Sequence, residues 1–290
     1  MANHTAGIHL TSPFSQLVSG YDSPEGPAMD REGNLFFVNW LSSSVMKLSP
    51  GGDVSEFYNT GGIPAGLAFH RDGSLFVADE GKDIHGVLRI TPDKIATVAA
   101  ERHGPTPLNG ANDLVFDSRG VLYFSDPWGS SVDEPVGGFY RLLVDGRLER
   151  LDEGLAFPNG VAVNADDSAV FVAETGHNRI LRYALSPEGT VGEREVFAEL
   201  TGEPGPDGMA FDEAGDLYVA HYGQGRIDVL DSAGRVVEEI PVPGAEPTNV
   251  AFIGPDRKTL VVTEVSTGAL YVADVAAAGQ PLYAESGAEP

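Results

Sequence analysis

The sequence contains no cysteine, which excludes disulfides, thiolate nucleophiles and thiolate metal sites and leaves oxygen ligands and seven histidines as the available chemistry. Positive charge is scarce: 18 Lys and Arg against 43 Asp and Glu give a net charge of −25. Nucleic acid and anionic membrane both require a basic face, so neither is expected as a partner. Abundant acid raises the local concentration of cations, which suits a metal protein, although it serves solubility equally well. No apolar run approaches the ~20 residues that span a bilayer. The opening residues MANHTAGIHL carry neither the basic start nor the apolar stretch of a secretion signal, and a cytoplasmic location is the expectation. Long helical periodicity is missing too. Gly 36 and Pro 20 make up nearly a fifth of the 290 residues and are spread along the chain, which favours many short strands joined by turns.

What the chain does have is a repeat. Six segments share a turn, a short apolar strand, a polar turn and a second apolar strand. They read PEGPAMDREGNLFFVN from Pro24, PAGLAFHRDGSLFVAD from Pro64 and ANDLVFDSRGVLYFSD from Ala111. PNGVAVNADDSAVFVAE from Pro158, PDGMAFDEAGDLYVAH from Pro206 and PTNVAFIGPDRKTLVVTE from Pro247 complete the set. A period of roughly 40–50 residues built from strands is the signature of propeller blades. The expected fold is therefore all-β: one six-bladed β-propeller domain over residues 1–290, with four antiparallel strands per blade and blades starting near 24, 64, 111, 158, 206 and 247. In the first repeat the strands are expected at about 27–31, 35–39, 44–48 and 53–58. Two segments compete to close the ring against the last blade, FSQLVSG at 14–20 and PLYAE at 281–285.

The second residue of each repeat is Glu25, Ala65, Asn112, Asn159, Asp207 and Thr248. Innermost strands line the axis of a propeller, so these six positions should form a ring at one mouth of the central channel. Asn and Asp before a strand are ordinary turn residues, and singly each reads as a turn. Glu25 is a poor turn former, however, and jointly Glu25, Asn112, Asn159 and Asp207 make an all-oxygen set whose two carboxylates one divalent cation would neutralise. Ca²⁺ fits such a set best, with Zn²⁺, Mg²⁺ or Mn²⁺ as alternatives. The ends of the second strands carry Asn39, Asp79, Asp126, Glu174, His221 and Glu264 and are expected at the same mouth, as substrate contacts or as openings of solvent-facing turns. Among them Asp126 and Glu174 are pocket candidates, and His221, from the blade of Asp207, is a candidate acid–base group. The longest loops, 99–111 and 126–138, should wall the pocket, with Trp128, His103 and Trp40 as lining or as packing between blades.

The segments EGP, NGANDLVFDSRGVLYFSDP, FPNGVAV and PDGMAFD resemble the metal-site motifs of the senescence-marker-protein/gluconolactonase/regucalcin family, and the resemblance covers nearly the whole chain. It implies a six-bladed propeller, a divalent cation and hydrolysis of lactones; relatives of that family include diisopropyl fluorophosphatases and drug-responsive lactonases. The family's metal-binding Glu falls on Glu25, its two Asn on Asn112 and Asn159, and its Asp on Asp207. Sugar-lactone hydrolysing members carry an Arg two residues before the first of those Asn, where this chain has Gly110. That departure implies a less hydroxylated substrate, and DPWGSSVDEPVGGFYRL resembles the drug-responsive type.

The resulting expectation is a metal-dependent lactone hydrolase, a carboxylic ester hydrolase acting on a small molecule. Asp207 would be its general base, with Glu25, Asp113 (orienting a water) and His221 as further catalytic candidates. The same site could instead serve phosphotriester hydrolysis, or a biosynthetic cyclisation or isomerisation. A non-enzymatic binding propeller with a structural metal would show metal-dependent melting without hydrolysis. The sequence does not fix the oligomeric state; a monomer is the expectation.

Overall fold

Six antiparallel sheets of four strands make up a computed structural model that describes residues 9–81 and 85–285. The innermost strand of each sheet packs against those of the sheets before and after it, and the first packs against the sixth. The ring is thereby closed, a six-bladed β-propeller. The first blade comprises Pro24–Met29, Leu35–Asn39, Ser44–Leu48 and Val54–Asn59. Its inner strand begins three residues earlier than the sequence suggested, so that Glu25 lies inside it. Proline costs nothing as the first residue of a strand, and a bulge between Glu25 and Ala28 absorbs the glycine that resembled a turn. The inner strands of the other blades are Pro64–Phe69, Leu114–Phe116, Pro158–Val163, Gly205–Phe211 and Pro247–Ile253.

Alternation along the second strands explains why the blades need one another. In the first blade Leu35 and Phe37 pack with Ile253, Val261 and Leu270 of the sixth, whereas Phe36 and Val38 pack with Leu67, Leu75 and Val77 of the second. The same division recurs at all six interfaces, so every sheet is apolar on both faces and buries them only against neighbours.

The N-terminal candidate closes the ring. Ser15–Ser19 pairs antiparallel with Ala269–Asp274, with Val18 opposite Leu270 and Ser19 opposite Ala269, and supplies the outer strand of the sixth blade. The competing PLYAE segment forms no strand. Residues 276–285 instead cross the far end of the channel, where the inner strands finish. Gln280 donates from its backbone N to Phe211 O (3.1 Å) and from Nε2 to Val163 O (2.7 Å), and Arg31 Nε donates to Ala284 O (2.6 Å). The Tyr283 ring lies 5.3 Å from that of Phe116 and 5.1 Å from that of His70. A cavity of ≈ 120 Å³ remains between this tail and the inner strands, running from Gly26, Asp113 and Asn249 down to Tyr283.

Candidate metal centre

Each inner strand except the third carries a register shift at its second residue, between Glu25 and Ala28, Pro64 and Leu67, Pro158 and Val161, Pro206 and Met209, and Pro247 and Asn249. A bulge bends the strand and re-aims a side chain, and repeated around the ring it acts on the same position of each blade. The residue that follows is Gly26, Gly66, Gly160 or Gly208 in four blades, because the inner strands touch there. A Cβ on Gly160 would sit 2.3 Å from Asp207 O. The two departures from glycine are Asp113 and Asn249, and both face the ring.

Four carboxyl groups meet at this mouth. Asn249 Nδ2 donates to Glu25 Oε2 at 3.1 Å, and the Gly26 N–H also reaches that carboxylate. Burial, and then repulsion from Asp113, push Glu25 up to about 8. Asp207 is raised well above the usual carboxylate range, first by burial and then by Glu25, Asp113 and Glu80. Burial holds Asp113 up at about 6, although its Oδ2 accepts the Val161 N–H at 2.8 Å. Glu80 is raised to about 7, again by burial, against hydrogen bonds from Asn112 Nδ2 (2.8 Å) and Trp40 Nε1 (3.4 Å). Among the described residues none of the four is ion-paired with Lys, Arg or His.

Of the expected ligands, Glu25, Asn112 and Asp207 keep surface open to the mouth and Asn159 is buried. Ala65 offers no donor, and the Thr248 hydroxyl is turned into the fold, 2.8 Å from Thr263 Oγ1 and 3.1 Å from Pro24 O. No group of three or more His, Cys, Asp or Glu side chains forms a metal-holding cluster among the described residues; the expected set takes two of its four donors from amides. Buried, mutually repelling carboxyls beside amide oxygens, with no basic side chain among the described residues to neutralise them, are a donor set that fits a hard divalent cation.

The second expected ring has a different task. Each member ties down the loop that enters its own blade. Asn39 Oδ1 accepts from Asp22 N (3.0 Å), Asp79 Oδ1 from Ile63 N (2.8 Å), and the Asp126 oxygens from Asn109 N (3.0 Å) and Gly110 N (2.6 Å). Glu174 Oε1 accepts from Ala156 N (2.8 Å) while its Oε2 takes Arg179 Nε (2.6 Å), and Glu264 Oε1 accepts from Glu246 N (2.7 Å). Asp126 and Glu174 are thus buried loop anchors, not pocket lining. His221 is fully buried, with Nδ1 2.6 Å from Asp228 Oδ2 and Nε2 2.8 Å from Gly202 O. Neither nitrogen is free to exchange a proton with a substrate, so it is a strut of the fifth blade.

His103 also leaves the pocket. It belongs to a small hairpin, Arg102–His103 with Thr106–Pro107, and packs edge-on against Tyr140 on the third strand of its blade, two strands from the axis. Trp40 and Trp128 stay at the mouth, Trp40 through its bond to Glu80 and Trp128, 41% exposed, with its Cβ against Gly110. Glu80 and Asn249 escaped the sequence reading, yet both left signals. Glu80 is the only carboxylate that directly follows a second-strand end, and Asn249 breaks a run of glycines at its repeat position.

The profile of the SMP-30/gluconolactonase/LRE-like region matches residues 23–266. A protein named lactonase drp35 from Staphylococcus aureus strain MW2 is 32% identical over 256 residues, which cover 82% of this chain and 77% of that relative. Among solved structures, a gluconolactonase from Xanthomonas campestris superposes with a TM-score of 0.82 at 24% identity, covering 94% of this chain and 93% of that one. The calcium-binding protein regucalcin from Agrobacterium tumefaciens gives 0.80 at 24% identity, covering 94% and 97%. These two structures share the fold.

Proposed function

The chain belongs to the SMP-30/gluconolactonase/LRE-like family, and from that premise we propose that it hydrolyses a lactone at the mouth of the propeller, using one divalent cation held by Glu25, Asn112, Asn159 and Asp207. The observation that carries this reading is the group of buried carboxyls around Glu25 and Asp207, raised in pKa with no basic partner among the described residues. Ca²⁺ is the ion favoured by an all-oxygen set of two carboxylates and two amides. When bound, it would supply Lewis-acid polarisation of the lactone carbonyl.

The chain's own groups account for the rest. Asp207 is the base: a carboxylate that holds the cation through one oxygen can accept a proton on the other. It takes a proton from the attacking water as the water oxygen bonds to the carbonyl carbon. It returns that proton to the ring oxygen as the acyl C–O bond breaks, leaving a hydroxy acid. Asp113, with one oxygen fixed on the Val161 N–H, orients the water. The substrate is a lactone with few hydroxyls. A side chain at Gly110 would collide with Glu80 O at 2.5 Å and Trp128 Cβ at 2.9 Å, so an arginine cannot occupy that place, and the indoles of Trp40 and Trp128 stand at the mouth instead.

Asp207→Ala and Glu25→Gln test the reading. Each should lower kcat for lactone hydrolysis by on the order of 10²–10⁴ and weaken cation binding, while the circular dichroism of the propeller stays unchanged. Full activity of either variant in chelator-treated buffer would sink it.

A further inference from the structure

Asn112 is useful to a cation only if its amide oxygen, and not its NH₂, faces the axis, and something must hold it that way. Among the described residues, the side chain that meets the NH₂ end is Glu80, whose Oε1 accepts from Asn112 Nδ2 at 2.8 Å. An ionised carboxylate has no proton to give, so in that form only the donor end of the Asn112 amide can lie against Glu80. Glu80 is itself 4% exposed and is held at its other oxygen by Trp40 Nε1 at 3.4 Å. Its backbone is wedged from behind: Gly110 adopts φ +152°, and a Cβ there would meet Glu80 O at 2.5 Å and Glu80 Cα at 2.9 Å. The missing side chain at Gly110 and the presence of Glu80 are therefore one feature, since the turn carrying Glu80 fills the space that a larger residue would need.

We propose that Glu80 is a positioning residue for the metal centre: through a Trp40–Glu80–Asn112 hydrogen-bond chain it locks the Asn112 amide with its oxygen toward the axis, and Gly110 is the vacancy that lets it do so. The inference rests on the cation reading above and concerns orientation of a ligand, a task that outer partners of metal sites commonly perform.

The test is Ca²⁺ affinity, measured by calorimetric titration of chelator-stripped protein, with melting temperature in excess chelator as the control for folding. Glu80→Ala should weaken binding roughly 10–100-fold, the range usual for loss of an orienting partner. Glu80→Asp keeps an acceptor-only carboxylate and should recover part of that loss, whereas Glu80→Gln, whose NH₂ can turn toward Asn112 while its oxygen keeps Trp40, should not. In an Asn112→Ala background, Glu80→Ala should cost less than about twofold, because the group it orients is gone. Unchanged affinity in Glu80→Ala, or an undiminished loss from Glu80→Ala in the Asn112→Ala background, would overturn the proposal, the second pointing to the charge of Glu80 and not to its geometry. Absence of any cation binding by the unaltered protein would overturn the cation reading itself, a different result from either.

Discussion

At the scale of single residues the centre is defined by acids that lack counter-charges among the described residues. Glu25 shows what this does to stability. In the folded, cation-free protein it keeps its proton up to about pH 8, whereas a glutamate in the unfolded chain ionises near 4.5. Between those values the folded state binds more protons than the unfolded one, so stability must fall as pH rises. The contribution is fully present below about 4.5 and is lost by about 8. Melting temperatures in chelator should therefore decline from pH 5 to pH 8, and the decline should shrink in Glu25→Gln or with Ca²⁺ present. A profile that is flat, or that rises over that range in chelator, would show the carboxyls to be less crowded than described. The four proposed ligands could be grouped from the sequence because they occupy one repeat position. Glu80 left only its place after a second-strand end, because its setting depends on the absent side chain at Gly110, thirty positions along the chain.

At the scale of strands and loops, the repeat reports position better than direction. Apolar alternation on the second strands gave the blades, and the second and third strands of the first blade lie where expected, at Leu35–Asn39 and Ser44–Leu48. The same pattern put six polar residues at the strand ends near the mouth, but it carried no information on which way they face. Five of the six accept backbone N–H groups of the entering loop, and His221 meets a backbone carbonyl instead, Gly202 O. Such an anchor should matter for folding and not for chemistry. Glu174→Ala leaves the buried Ala156 N–H and the Arg179 guanidinium without their partner, and should cost on the order of 3 kcal/mol in urea unfolding. The KM and kcat of the remaining folded protein should be unchanged. A collapse of kcat at full stability would return Glu174 to the site.

At the scale of the whole molecule, closure and access are the two consequences of the fold. The first and last parts of the chain share the sixth blade through Ser15–Ser19 and Ala269–Asp274, so the ring is held shut by a strand pair that joins distant ends of the sequence. The turn-rich sequence offered two closers and no means of choosing, since both are short apolar segments. The choice follows from register, with Val18 against Leu270, and from Tyr283, whose ring is taken up by Phe116 and His70 across the channel. With that end covered, the ring of Glu25, Asn112, Asn159 and Asp207 is approached from the side of Trp40 and Trp128.

The dependence of turnover on a cation held by these four residues is the proposal on which the mechanism rests. It is tested most directly by following the hydrolysis of a simple aliphatic lactone as Ca²⁺ is returned to chelator-stripped protein. Turnover should be negligible in the stripped protein, and the rate should climb to a plateau at one equivalent of Ca²⁺ per chain. Undiminished hydrolysis by the stripped protein would contradict it.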